Sequence, residues 1–112
     1  MSSPHLNRSL VLEAPMRISD GAGGFTRDWQ PLGVLWAQVK PGSGKEAAAF
    51  AATVSRVPLK IIVRAAPYGT PSRPVAGHRF REGDRLYHIN AVAEKDAHAR
   101  YLTCFAEEEV AS

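Results

Sequence analysis

The chain has 112 residues, 45% apolar and 22% charged, with a formal net charge of +3. This size supports one domain, spanning residues 1–112, with a modest core, and the composition is ordinary for a globular protein. Basic and acidic residues are interleaved, unlike the concentrated basic face of a dedicated nucleic-acid binder. Cys104 is the one cysteine, so no internal disulfide is expected and the chain suits a reducing cytoplasm. No run of about 18 apolar residues reads as a membrane span, and MSSPHLNRS lacks the apolar centre of a secretory signal.

Strand patterns dominate from the start. In RSLVLEAP, Leu10, Leu12 and Ala14 share one face, with Ser9 and Glu13 on the other. Such period-two alternation marks a half-buried strand. DGAGG, Asp20 to Gly24, is a turn or flexible loop. In VLWAQVK, Leu35, Ala37 and Val39 alternate against Trp36, Gln38 and Lys40. RVPLKIIVRA sets Val57, Leu59, Ile61 and Val63 against Pro58, Lys60, Ile62 and Arg64. Pro58 has no N–H for a ladder, which places it at a strand start or on an edge. Ala66 to Gly77, with three prolines and two glycines, is a surface loop. HRFREGDRLYHINAVAE folds as a hairpin at Glu82-Gly83-Asp84, with Tyr87, Ile89 and Ala91 on one face. EKDAHA makes the next turn and RYLTCFAEEEV the last strand. The fold class is therefore mainly β: a small antiparallel barrel or sandwich of about five or six strands, which hides its edges by closing.

Between the second and third strands lies PGSGKEAAAF. Gly44-Lys45 suggests a phosphate-binding loop, but the position five before Gly44 is Val39 and Lys45 is followed by Glu46. Neither the opening glycine nor the magnesium-binding hydroxyl of that motif is present. Ser43 and Glu46 instead have capping-box spacing, and the alanine-rich run to about Thr53 favours helix. Phe50 is its one large apolar anchor, so one inserted loop or short helix, about residues 43–54, is expected to project between two strands.

Chemistry-bearing residues do not converge. His5, His78, His88 and His98 lie outside metal-ligand spacing, and Cys104, mid-strand, reads as a buried inert thiol. Glu107, Glu108 and Glu109 alternate between faces of a strand and cannot meet at one substrate atom. They read as a solvated tail, or as charged contacts for the basic strands of a neighbouring subunit. Trp29 and Trp36 fit core or interface more readily than base stacking. No enzyme, cofactor or metal site is expected.

Four stretches carry a resemblance over nearly the whole chain, from Leu6 to Val110: LNRSLVLEAP, DGAGGFTRDWQPLGVLWAQVKPGSGKEA, SRVPLKIIVRAAP and RFREGDRLYHINAVAEKDAHARYLTCFAEEE. In their order and spacing they resemble the phage head-tail joining family, whose members act as head-closure or stopper proteins. More narrowly they resemble the version encoded by alphaproteobacterial gene transfer agents. Ala47–Thr53 and Tyr68–Val75 are the divergent parts. The resemblance implies a structural neck protein: a small β-barrel with a long loop or helix inserted between early strands, assembled into a ring, typically sixfold. Implied partners are copies of itself, a portal adaptor above, a tail terminator or tail tube below, and double-stranded DNA in the lumen. No catalytic residue is implied. On this reading Ser43, Gly44, Lys45, Glu46 and Phe50 form a channel-facing projection. Trp36, Lys60, Arg64 and Arg81 are expected at the subunit interface with Glu107, Glu108 and Glu109. The other reading is a stand-alone nucleic-acid-binding barrel that stacks bases on Trp29, Trp36 or Tyr87.

Overall fold

The computed structural model describes residues 4–42, 56–94 and 100–109, excepting the side chain of residue 56. Its six strands are β1 (Arg8–Ser19), β2 (Phe25–Pro41), β3 (Arg56–Arg64), β4 (Arg79–Glu82), β5 (Arg85–Glu94) and β6 (Tyr101–Glu109). All neighbours are antiparallel, in the order β1-β2-β3-β6-β5-β4, and β4 pairs back onto β1. The expected antiparallel barrel is therefore present and closed. The expected projection about residues 43–54 and the EKDAHA turn lie outside the described residues. The N–H of Gly42 donates to the carbonyl of Pro58 (2.9 Å), so the chain leaves and re-enters the barrel at one point.

Alternation builds the core. Leu10 and Leu12 from β1, Ala37 from β2 and Ile61 and Val63 from β3 point inward, as do Phe80, Tyr87 and Ile89 from β4 and β5 and Leu102, Cys104 and Ala106 from β6. Pro58 lies just beyond the last β2–β3 pair, Pro41 with Leu59, and pairs with Glu107 of β6. The β4–β5 hairpin turns at Gly83-Asp84, where Gly83 takes a left-handed φ of 60° that suits a residue without Cβ.

Two irregularities shape what projects from the core. In β5, Ile89 pairs with Ala106 and Ala91 with Phe105, so Asn90 is an extra, bulged residue. The bulge reverses the phase of the strand: Ala91, expected on the core face, is exposed, and Val92 packs against the core instead. In β2, Leu12 pairs with Gly33 and Glu13 with Pro31, leaving Leu32 as the extra residue. Beyond this second bulge β1 and β2 have, among the described residues, only each other as strand partners. The β1–β4 pairing stops at Glu13 and the β2–β3 pairing starts at Ala37, so residues 14–31 form a two-stranded arm. The arm leaves the end of the barrel opposite Gly42.

Phe80 and Tyr87 face each other across β4 and β5 and are both fully buried. Phe80→Ala is predicted to destabilise the barrel by about 3–5 kcal/mol through lost transfer energy and an unfilled cavity. Urea unfolding should show a lower midpoint with an unchanged slope.

Candidate assembly surface

Charged residues that share the inward phase gather at the barrel end nearest Gly42. Arg8 is in step with Leu10 and Leu12, Glu82 with Phe80, Arg85 with Tyr87, and Glu108 with Ala106. They meet over the core. The Arg8 Nε donates to Glu82 (3.0 Å), its terminal nitrogen donates to the Tyr87 hydroxyl (3.0 Å), and that hydroxyl donates to Glu82 (2.8 Å). Arg85 grips Glu108 with two hydrogen bonds of 2.6 and 2.9 Å. Arg8 holds the Glu82 carboxyl below the ordinary carboxylate range, against the opposing effect of burial, and Arg85 does the same for Glu108. Burial, then the bond to Glu82, pushes the Tyr87 hydroxyl up to about 12. The cluster is an ionic plug that satisfies every charge it contains.

A second network clasps the outside of the β1–β4 seam. Glu13 has the outward phase expected for it, yet it is only 5% exposed. Arg79 and Arg81, which flank Phe80, donate to its two oxygens at 2.7 and 3.0 Å. Burial opposes ionisation of Glu13, and the two guanidinium bonds outweigh it, leaving the carboxyl below its usual range. The Arg79 guanidinium also lies 4.1 Å from the Trp29 ring centroid, and Trp29 meets His88 edge-on at 6.1 Å. This fixes the root of the arm to β4 and β5.

The residues expected at an interface fall into two groups. Arg81, Glu107 and Glu108 are engaged within their own subunit: Arg81 with Glu13, Glu107 accepting from Asn90 (2.9 Å) at 7% exposure, and Glu108 with Arg85. Glu109 is exposed, 3.3 Å from His88 Nε2. Trp36 and Arg64 are exposed on the outer face, and Lys60 stands directly opposite Lys40 there. Like charges in that register repel one another. Ser43, Gly44, Lys45, Glu46 and Phe50 lie outside the described residues. Cys104 is buried, and burial raises its thiol to about 12, so it is poor as a nucleophile. Of the stacking residues, Tyr87 is in the core and Trp29 is covered by Arg79, leaving Trp36 free on the surface.

The arm went unread as a separate feature. Its directly opposed residues share a face, so Ala14, Met16, Ile18, Thr26, Asp28 and Gln30 project one way. Pro15, Arg17, Ser19, Phe25, Arg27 and Trp29 project the other. Met16, Ile18 and Phe25 are all exposed there, and Val34 and Trp36 are exposed further along β2. An isolated two-stranded ribbon is marginal in water, and apolar side chains on both faces want cover. The signal was strand length: β1 and β2 run 12 and 17 residues, about two and three times the usual strand.

The described residues thus form a closed barrel with a plugged end, a protruding ribbon and an exposed tryptophan flank. The chain belongs to the phage head completion protein family, whose family model matches residues 1–109. It is similar to a chain in the virion of a native gene transfer agent particle, with 49% identity, a TM-score of 0.80, and coverage of 98% of this chain and 100% of that one. It also shares its fold with protein SF1141 from Shigella flexneri 2a, at 20% identity and a TM-score of 0.66 over the full length of both chains. No curated protein sequence matches it.

Carboxylates held below their usual range add stability that is complete above their unfolded value, near 4.5, and is lost as pH falls through the folded value. Burial holds the His78 imidazole below its ordinary value, so the thermal midpoint is predicted to decline gently below about pH 6.5 and to fall steeply below about pH 5, where the carboxylates take up protons. Glu13→Gln should flatten part of that fall, because it removes one of the three titrating groups.

Proposed function

We propose that the chain is the head-closure, or stopper, subunit of a gene transfer agent particle. Copies form a ring, sixfold in this reading, at the neck between the portal adaptor and the tail terminator or tail tube, assembled in the bacterial cytoplasm. The ring retains packaged double-stranded DNA and lets it pass. The observation that carries this reading is the 49% identity, over the whole of the matched chain, to a component of a gene transfer agent virion.

The geometry supports the reading in three ways. A barrel without free edges along its body is a rigid unit that can be repeated without uncontrolled strand pairing. Exposed apolar side chains on the arm and on the Trp36 flank are the material of protein contacts. Mixed surface charge keeps a DNA channel from clamping the duplex, since affinity rises steeply with the number of phosphates neutralised.

In this reading the segment from Lys40 to Ser55, which contains Lys45 and Glu46, faces the channel. Its two ends meet at the barrel end opposite the arm, where Gly42 bonds to Pro58, so one end can face the lumen while the other engages protein. Deleting Lys45–Thr53 should leave the barrel folded, with an unchanged far-ultraviolet spectrum, while particles lose DNA retention or tail attachment. Normal DNA transfer by such particles would refute the channel assignment. Absence of this subunit from the neck in particle images would refute the function.

A further inference from the structure

A ring of identical subunits joined head to tail needs two different surfaces on each chain that fit one another. Resting on the ring reading, we propose that the Met16–Ile18 face of the arm docks on the Trp36 flank of the next copy, with Asp28 of the arm paired to Arg64 of the flank.

Both surfaces have the composition of a contact left uncovered. On the arm, Met16 and Ile18 are 36% and 40% exposed and stand in register with Asp28 and Thr26 on the same face. The Asp28 carboxylate accepts a hydrogen bond from the N–H of the adjacent Trp29 (2.8 Å), and no described cation pairs with it. On the flank, Leu6, Leu35, Trp36, Ala65 and Ala66 line a shallow hollow that also includes Arg64. Trp36 is 58% exposed. The Arg64 guanidinium lies 5.9 Å from the Tyr101 ring centroid, and no described carboxylate pairs with it. Each surface thus joins exposed apolar groups to one charge lacking a described counter-ion, and the two charges are opposite.

The alternatives fit less well. The other face of the arm carries Arg17 and Arg27 directly opposite each other; against the flank it would set two more cations beside Arg64. DNA is a poor occupant, because Arg17 and Arg27 are cancelled by Asp20 and Asp28 over the arm as a whole, and duplex binding needs net positive charge. The chain cannot satisfy its own flank. Asp28 and Trp36 lie on one extended strand, β2, and are separated by about 26 Å at the usual rise per residue. A second copy supplies what the first cannot.

Charge exchange and cross-linking in assembled particles test the proposal. Asp28→Arg and Arg64→Asp should each lower the copies incorporated per particle by about tenfold or more, as a like-charge contact does. The double exchange should restore incorporation, while the isolated variants keep the parent thermal midpoint. Ile18→Cys combined with Ala66→Cys should give, on oxidation, a ladder of covalent multimers that neither single cysteine variant gives. A ring seen at the neck without restoration or ladder, or with Ile18→Cys captured by a different particle protein, overturns the docking and leaves the ring reading intact. Absence of any ring overturns both.

Discussion

The sheet closes on itself through three residue pairs between β1 and β4: Val11 with Arg81, Leu12 with Phe80 and Glu13 with Arg79. Every other junction is longer, so this seam is where an antiparallel sheet would open and expose two edges. The sequence spends its best polar interactions there. Glu13 joins Arg79 and Arg81 on the outside of the seam, while the hydrogen-bonded pair of Arg8 and Glu82 bridges the same two strands at the plugged end. A half-buried ion pair adds little when it merely replaces water, but breaking one of these leaves charge beside the core. The polar networks therefore favour the closed barrel over alternatives that separate β1 from β4.

Closure of the body and openness of the arm are two sides of one arrangement. The bulge at Leu32 and Gly33 lets β2 continue past the barrel rim with β1 beside it, where neither strand has a third neighbour among the described residues. The barrel hides its own edges, and the ribbon presents apolar side chains outward on both faces. The role proposed for the chain is to hold position against other copies and against the proteins above and below it.

Much of the fold was legible because alternation is a strong signal. Leu10 and Leu12, and Ile61 and Val63, were readable as sharing an inward face from period two alone; Cys104 was readable as a buried thiol, and Glu82-Gly83-Asp84 as a turn. The phase change in β5 was not, because nothing about Asn90 in sequence distinguishes a bulge from a paired residue, and Ala91 was assigned to the wrong face as a result. The plug was within reach: Arg8, Glu82 and Glu108 each follow the core phase of their strands, and charges that keep that phase require partners at a barrel end. Their mutual pairing depends on closure between strands distant in sequence, so Glu108 read as a tail residue or a contact for a neighbour. The arm escaped notice for the opposite reason. Its local pattern is that of any hairpin, and only the absence of third-strand partners, a property of topology, separates it from the barrel.

Amide hydrogen exchange, compared between the free subunit and assembled particles, tests most directly whether a self-sufficient barrel carries a ribbon that waits for a partner. In the free subunit the amides of Leu12 and Phe80 should exchange only through global unfolding, while those from Met16 to Arg27 exchange through low-energy local opening. Assembly should slow the arm amides towards the rate of the barrel. Arm amides already as protected as Leu12 in the free subunit would contradict the account.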